Sequence, residues 1–153
     1  MRVAIGNDHA GYPLRAPLIK LIESSGHQVV SFGTDNEHPV DYPRFAAEVA
    51  RAVRDGQADL GVVICGTGIG SSIVANKIEG VYCALCSDPY SSRMARRHND
   101  ANVIALGARV LGPDLAVDIL KAFLETQPSN EPRHVRRRQQ VQEIEAGNEL
   151  ARK

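Results

Sequence analysis

An unbroken apolar run occupies residues 60–65 and reads Leu60-Gly61-Val62-Val63-Ile64-Cys65. A strand with one face in water alternates apolar and polar residues, whereas a parallel strand covered by helices on both faces is apolar throughout. The run therefore predicts a strand of a mostly parallel sheet. We expect it to lie in the middle of that sheet.

The sequence on either side of this run alternates short apolar stretches with helical periodicity. Four more strands are predicted, at residues 3–6, 28–32, 81–86 and 103–106. Between them, apolar side chains recur three and four residues apart, as on the buried face of a helix. This alternation is typical of βαβ units. We predict an α/β fold, a three-layer α/β/α Rossmann-like domain with a five-stranded parallel sheet.

Several helix boundaries are marked by the residues around them. Asp88-Pro89 combines a helix cap with a proline at the first helical position, and Gly112-Pro113 precedes another predicted helix. Pro17 falls inside the first predicted helix and removes one backbone hydrogen bond there. We expect that helix to begin late or to bend.

A polar but helix-prone segment extends from Arg133 to about Glu149. Steps of three and four residues nearly complete whole helical turns, so four of its side chains share one side. They are Arg133, Arg137, Val141 and Ile144. We expect this C-terminal helix to pack on the body or on a partner subunit, because a solvated face would not carry the apolar pair. All 153 residues are assigned to one domain, with about residues 131–153 as a helical extension.

The charges of the chain balance, with 18 Lys+Arg against 18 Asp+Glu. A general nucleic-acid or anionic-membrane binder normally has a basic excess, so we expect neither partner. No apolar run has the length of a signal-peptide core or a membrane span, which predicts a cytoplasmic protein. The three cysteines are an odd number, so a disulfide framework is not expected.

A glycine-rich loop follows the central strand and reads Cys65-Gly66-Thr67-Gly68-Ile69-Gly70-Ser71-Ser72. Ligands of open parallel sheets bind at the carboxyl ends of the strands, where glycines let backbone N–H groups face an anion. The loop predicts an oxyanion or phosphate cradle, although a tight strand-to-helix turn would also use glycine. Three other phosphate-binding motifs do not fit the loop. A dinucleotide fingerprint needs glycine, and a low-molecular-weight tyrosine phosphatase needs arginine, at the position of Ser71. A P-loop needs a lysine that is absent here.

Cys65 closes the central strand at the mouth of this loop. A free cysteine is often a simple core residue, but a helix N-terminus beside it favours the reactive thiolate. Cys65 is therefore a candidate base or nucleophile. Cys83 and Cys86 are three residues apart on a predicted strand, so they point to opposite faces and suit core packing better than redox or zinc chemistry.

Two further polar clusters are candidates for a site. Residues 7–11 read Asn-Asp-His-Ala-Gly at the end of the first strand, and we expect them to face the glycine loop if strands one and three are neighbours. His98-Asn99 lies before the fifth strand and offers hydrogen-bond donors and acceptors. The remaining histidines, His27, His38 and His134, form no metal-ligand spacing with these, and we expect no metal and no cofactor.

Five short motifs of the chain occur together in a specific order and spacing. They lie at residues 7–11, 65–70, 75–77, 98–103 and 107–110. In this combination the chain resembles the type B ribose-5-phosphate isomerases, a family that also contains galactose-6-phosphate isomerase subunits. The resemblance runs from the first strand to about Ile144. It implies a metal-free interconversion of an aldose phosphate and a ketose phosphate through an enediolate.

The resemblance also implies roles for individual residues. Cys65 matches the general base of the family, and His98 matches the group that opens the sugar ring, assisted by Thr67 and Asp8. The anion hole over the enediolate corresponds to the backbone N–H groups of Gly66, Gly68, Ile69, Gly70 and Ser71. The matched ligands of the sugar and its phosphate are Asn99 for sugar oxygens, Tyr42 lining the pocket, and His9, Arg109, Arg133 and Arg137 as a phosphate clamp.

Ribose 5-phosphate and ribulose 5-phosphate are the expected substrate pair, with a tetrose 4-phosphate or a hexose 6-phosphate as alternatives. A tetrose 4-phosphate cannot close a furanose ring, so the presence of His98 favours a cyclic sugar. A non-catalytic module that binds a nucleotide or phospho-ligand is a different hypothesis, but it does not need Cys65. We also expect a homodimer or tetramer with active sites between subunits, as in the family.

Overall fold

The computed structural model describes residues 1–151, and within them one sheet of five parallel strands forms the centre of the molecule. The strands are β1 (Arg2–Asn7), β2 (Gln28–Ser31), β3 (Leu60–Cys65), β4 (Cys83–Leu85) and β5 (Val103–Gly107). Their order is β2-β1-β3-β5-β4. Every residue of β3 is buried, as expected of a central strand. Residues 152 and 153, the end of the predicted extension, lie outside the described residues.

Helices cover both faces of the sheet, which confirms the predicted α/β/α architecture. They are α1 (Tyr12–Ser24), α2 (Tyr42–Arg54), α3 (Ile69–Ala75), α4 (Pro89–Asn99), α5 (Pro113–Glu125) and α6 (Pro132–Glu145). Successive β3 side chains enter different cores because a strand alternates its faces. Val62 and Ile64 pack with α1 and α5, whereas Val63 packs with α2 and α3. None of the helices within residues 1–151 combines the length and the apolar character needed to cross a membrane.

Most helix boundaries agree with the sequence signals. Helix α4 begins at Pro89, and the Asp88 carboxylate accepts the Ser91 N–H at 2.7 Å as its cap. Helix α5 begins at Pro113 as predicted. Of the two alternatives expected for α1, the late start is wrong, because α1 begins at Tyr12 and continues through Pro17, and the bend stays a prediction. The Asp8 carboxylate, which accepts the Gly11 N–H at 2.8 Å, fixes the turn that starts this helix.

Two elements are shorter than their sequence patterns predict. Helix α6 ends at Glu145, because the chain turns at Gly147, whose φ of 83° lies in the left-handed region. Strand β4 is confined to Cys83–Leu85 at the edge of the sheet. There the Asn76 amide takes the place of a further strand: its Oδ1 accepts the Cys83 N–H at 2.8 Å and its Nδ2 donates to the Cys83 carbonyl at 2.9 Å.

The two cysteines at β4 face opposite sides of the sheet, as predicted. Cys86 is buried with α1 and α5, and Cys83 packs against the core on the other face. Burial raises the pKa of Cys83 to about 12 and that of Cys86 to about 11. Both thiols therefore stay protonated at neutral pH and contribute to packing.

Candidate active site

Cys65 lies at the carboxyl edge of the sheet, where the strand order changes direction between β1 and β3. Its side chain is buried, and its Sγ accepts the Gly68 N–H at 3.1 Å. Gly68 has a φ of 79° and precedes the first residue of α3. This left-handed turn is what lets the chain double back so that the start of a helix faces the thiol.

The loop after Cys65 presents backbone donors at the start of α3. The Ile69 N–H donates to Thr67 Oγ1 at 3.3 Å. Within residues 1–151, the N–H groups of Gly70 and Ser71 have no hydrogen-bond acceptor, as is usual for the first turn of a helix. These two donors, next to a buried thiol, are suited to an oxyanion.

The end of β1 lies beside this loop, which confirms that the two motifs share one edge of the sheet. The Asp8 N–H donates to the Ile64 carbonyl at 3.2 Å, and the Asp8 side chain is buried. His9 Nδ1 lies 3.1 Å from the N–H of Val40, two residues before α2 begins. His9 is thereby held next to the segment that leads into Tyr42.

Tyr42 and Arg109 complete the surroundings of the thiol loop. The Arg109 N–H donates to the Gly66 carbonyl at 2.9 Å, and a Cβ at Gly66 would lie 3.6 Å from Arg109 Nη1. The Tyr42 ring covers Gly70 so closely that a Cβ there would lie 2.6 Å from a ring carbon. One chain therefore brings Cys65, Thr67, Asp8, His9, Tyr42 and Arg109 to the carboxyl edge of the sheet around β1 and β3, a region that we call the thiol crevice.

Gly107 is a position where the thiol loop depends on a missing side chain. A Cβ at Gly107 would lie 2.6 Å from the backbone carbon and oxygen of Thr67. We expect Gly107→Ala to destabilise the fold by about 1–3 kcal/mol, because a backbone segment must move. This corresponds to a Tm lower by about 2–12 °C for a chain of this size. Thermal unfolding followed by circular dichroism measures the effect.

Gly112 offers the matched control for this substitution. A Cβ at Gly112 would meet no atom within 4 Å, and its φ of −72° suits alanine. Gly112→Ala should leave Tm within about 2 °C of the wild type. Equal Tm values for the two variants would contradict the close approach of Thr67 to Gly107.

The predicted residues His98 and Asn99 lie at the opposite edge of the sheet. They end α4, which returns from the carboxyl end of β4 to the amino end of β5. Cys65 pairs with Gly107, the last residue of β5, whereas His98 precedes the first residue of β5. The four residue steps from Val103 to Gly107 place the amino end of β5 about 13 Å from its carboxyl end, where Cys65 lies. Within one chain, Cys65 and His98 are therefore not brought together.

Helix α6 lies next to His98 at this amino edge. The rings of His98 and His134 have centroids 4.3 Å apart. His134 is buried, and its Nδ1 has no hydrogen-bond partner within residues 1–151. Burial, followed by the neighbouring His98, holds the pKa of His134 below its usual value. Arg138 ties α6 to the same turn by donating to the carbonyls of Ser129 at 3.0 Å and His98 at 3.5 Å.

The predicted phosphate clamp is divided between the two edges of the sheet. His9 and Arg109 lie at the thiol crevice, whereas Arg133 and Arg137 project from α6. Arg133 Nε pairs with Glu131 at 2.9 Å and is exposed. Arg137 and Asn99 line a groove of about 420 Å³ between α6 and the body. The four clamp residues cannot surround one phosphate within a single chain.

Several supporting residues were not singled out from the sequence. Arg96 is one of them: it is buried, and its Nη1 donates to Asp100 Oδ1 and the Ala101 carbonyl, both at 2.7 Å. It therefore holds the turn that follows Asn99. His134 was considered only as a metal ligand. The sequence signal for His134 is its position next to Arg133 and three residues before Arg137, the two arginines of α6 in the predicted phosphate clamp. Within residues 1–151, no group of three or more His, Cys, Asp or Glu residues could hold a metal ion.

Comparisons with known proteins agree over nearly the whole chain. The family profile described as Ribose/Galactose Isomerase matches residues 3–141. Ribose-5-phosphate isomerase B of Escherichia coli (strain K12) is 42% identical over 144 residues, which are 94% of this chain and 96% of that protein. D-erythrulose-4-phosphate isomerase of Pectobacterium atrosepticum is 43% identical over 129 residues, 83% of this chain and 84% of that protein. The solved structure of ribose-5-phosphate isomerase B from Clostridium thermocellum has 46% identity and a TM-score of 0.92, covering 96% of this chain and 99% of that one.

Proposed function

The chain belongs to the ribose/galactose isomerase family and is a sugar-phosphate isomerase, and we propose that it interconverts ribose 5-phosphate and ribulose 5-phosphate. The observation that carries this proposal is the buried Cys65 thiol, which accepts the Gly68 N–H beside the Gly70 and Ser71 N–H groups, and these two have no acceptor within residues 1–151. A base next to an oxyanion site is what an enediolate mechanism needs. The similarity to ribose-5-phosphate isomerases B supports the choice of a pentose.

In the proposed mechanism, Cys65 acts as the general base. Its thiolate takes the proton from C2 of the open-chain aldose, and the C2 electron pair becomes part of the enediolate double bond. The charge that develops on the substrate oxygens is stabilised by the backbone N–H groups of the loop. Return of the proton from the thiol to C1, with a proton shift between the two oxygens, completes the ketose. No external oxidant or reductant is required.

The ring-opening group and half of the phosphate clamp would come from a second copy of the chain. His98, Asn99, Arg133 and Arg137 lie at the opposite edge of the sheet from Cys65, so the site is incomplete within one chain. Helix α3, next to the thiol loop, exposes 51% of Ile69 and 56% of Ile73. Such side chains favour burial against a partner. We therefore propose a homodimer with shared sites as the smallest active unit, and a tetramer would pair two of these dimers.

A second copy would also bring the divided charges together. Arg133 and Arg137 are exposed in the single chain, and arginine binds phosphate with two parallel hydrogen bonds. Together with His9 and Arg109 they would hold the phosphate at a distance from the reacting carbons. Binding energy at this remote group can then be used to orient the carbons at Cys65.

A panel of sugar phosphates tests the proposed substrate. We expect kcat/KM for ribose 5-phosphate to exceed that for erythrose 4-phosphate and for allose or galactose 6-phosphate by about tenfold or more. The reason is that Cys65 and the phosphate clamp together fix the distance between the reacting carbons and the phosphate of the sugar. A coupled assay of ketose formation measures each value. A higher kcat/KM for the tetrose or a hexose would assign the same chemistry to that sugar.

His98→Asn serves as a control within the same panel. Ribose 5-phosphate must open its furanose ring, whereas erythrose 4-phosphate cannot form one. The variant should therefore lose turnover on the pentose more than on the tetrose. If no sugar phosphate is turned over and AMP stabilises the protein against heat, a non-catalytic phospho-ligand module would replace the proposal.

The proposed location is the cytoplasm. Cys65, Cys83 and Cys86 are all free. A thiol base must remain reduced to work, and the cytoplasm keeps thiols reduced.

A further inference from the structure

Helix α6 is attached to the rest of the chain near its start, at Arg138 in its middle, and near its end. His134, near its start, is its one buried residue within the part of the chain that the structure describes. Near its end, Glu145 Oε2 accepts the Tyr82 O–H at 2.9 Å and Oε1 accepts the Gly80 N–H at 3.1 Å. Both oxygens of the Glu145 carboxylate thus accept hydrogen bonds from the segment between α3 and β4. We call the contacts of Glu145 with Tyr82 and Gly80 the α6 latch.

After Arg138, α6 lies over a groove and lacks core packing. The groove of about 420 Å³ is lined by Arg137 and Val141 on the helix and by Cys83 and Asn99 on the body, among others. Val141 is 47% exposed and Ile144 is 57% exposed. Since apolar burial does not hold the half of the helix that follows Arg138, its orientation depends on the hydrogen bonds of Arg138 and on the attachment at its end.

The segment that receives Glu145 is itself firmly held. The Tyr82 N–H donates to Asn102 Oδ1 at 2.8 Å, and Asn102 Nδ2 donates to the Gly80 carbonyl at 2.8 Å. The Asn102 N–H donates in turn to the Tyr82 carbonyl at 3.0 Å. Asn102 follows, by four residues, the His98 whose ring contacts α6. The latch therefore connects the end of α6 to the same turn that supports its start.

We propose that Glu145 and Tyr82 are positioning residues that hold the end of α6 and so determine where Arg133 and Arg137 meet the substrate phosphate. This inference rests on the proposed function, because it takes the two arginines as phosphate ligands. Glu145 lies eight residues after Arg137, about 12 Å along the helix axis, and acts through the helix. Paired hydrogen bonds from arginine to phosphate depend on orientation, so a helix free to pivot binds phosphate less tightly.

The Tyr82 hydroxyl of the latch keeps its proton at neutral and mildly alkaline pH. Burial, strengthened by the hydrogen bond to Glu145, raises the pKa of Tyr82 to about 12. The phenol is therefore a proton donor to Glu145 at neutral and mildly alkaline pH. Arg54 and Glu79 are the other charged residues that line this surface.

Three variants and a matched control test the latch in the full-length protein. Tyr82→Phe removes one hydroxyl, Glu145→Ala removes both acceptors, and Glu145→Gln keeps one acceptor. Glu143→Gln is the control, because the Glu143 carboxylate makes no ion pair or hydrogen bond within residues 1–151. The readouts are KM and kcat for ribose 5-phosphate, the Kd of inorganic phosphate by calorimetry, and hydrogen exchange of the α6 amides.

We expect Tyr82→Phe and Glu145→Ala to raise KM and the phosphate Kd about three- to tenfold, with kcat changed less than about twofold. Glu145→Gln should recover part of the loss. Amides in the second half of α6 should exchange faster in the two damaging variants than in Glu143→Gln. The whole fold should persist, because the Tyr82 ring stays in Tyr82→Phe.

The outcomes separate the latch from the proposed function. If the wild type does not isomerise ribose 5-phosphate but the variants still loosen α6 and weaken phosphate binding, the proposed function fails and the latch stands. Faster exchange with unchanged phosphate Kd and KM would reduce Glu145 and Tyr82 to a structural role and overturn the inference. Variants that match Glu143→Gln in every readout would overturn it as well.

Discussion

Cys65→Ala is expected to lower kcat for ribose 5-phosphate by about 10²–10⁴-fold, the usual effect of losing a general base. KM should change little, because the phosphate clamp does not include the thiol. Cys65→Ser should lose a similar factor, since a hydroxyl is far less ionised than a thiol at neutral pH but still offers an acceptor to the Gly68 N–H. Steady-state kinetics on purified protein measures both variants.

Cys83→Ala provides the matched control for the loss of a thiol. Cys83 is half-buried, its pKa is raised to about 12, and it packs away from the thiol crevice. The variant should retain kcat within about twofold. Wild-type turnover by Cys65→Ala, with its circular dichroism spectrum unchanged, would remove Cys65 from the mechanism.

The second large effect is expected from mixing two inactive proteins. Cys65→Ala and His98→Asn should each have little activity on ribose 5-phosphate. In a mixed dimer with shared sites, one site receives both defects and the other receives neither. Equal amounts exchanged to equilibrium should therefore recover about a quarter of the wild-type activity, because half of the dimers are mixed and each has one intact site.

Subunit exchange must be allowed before this measurement, by mild denaturant and dilution or by co-expression with two tags. A mixture of Cys65→Ala with Cys65→Ser is the control, and it should remain inactive because every site lacks the thiol. If the Cys65→Ala and His98→Asn mixture recovers nothing although mixed dimers are isolated, the sites are contained within single chains. A fully active monomer in sedimentation would likewise show that one chain holds a complete site.

Much of the fold follows from local sequence properties. The apolar run at residues 60–65 predicted a strand buried on both faces, and β3 has these bounds. Asp88-Pro89 and Gly112-Pro113 marked the starts of α4 and α5 because capping and proline geometry involve neighbouring residues. The predicted strand at residues 81–86 is longer than β4. The bounds of β4 at the open edge of the sheet depend on a tertiary contact, because the Asn76 side chain accepts the Cys83 N–H.

The sequence predicted which residues to consider for the site but not how they are arranged. The glycines that follow the central strand indicated the thiol loop, because ligands of open parallel sheets bind at the carboxyl ends of the strands. The packing of His134 on His98 could not be anticipated, since it joins α6 to α4 across 36 positions of sequence. The same applies to Glu145, whose contacts with Tyr82 are tertiary.

The sequence by itself determined the fold class and the family, and it predicted the candidate residues of the site. These properties depend on residue types and on residues a few positions apart in the sequence, and such local patterns are enough to specify strands, turns and backbone hydrogen-bond donors. Only the tertiary structure decided that Cys65 lies at one edge of the sheet and His98 at the other. The reason is that a helix returns the chain to the amino edge before each new strand, so the residues that end α4 and begin α6 lie a strand's length from the thiol. That separation is what requires a second copy of the chain in the proposed site.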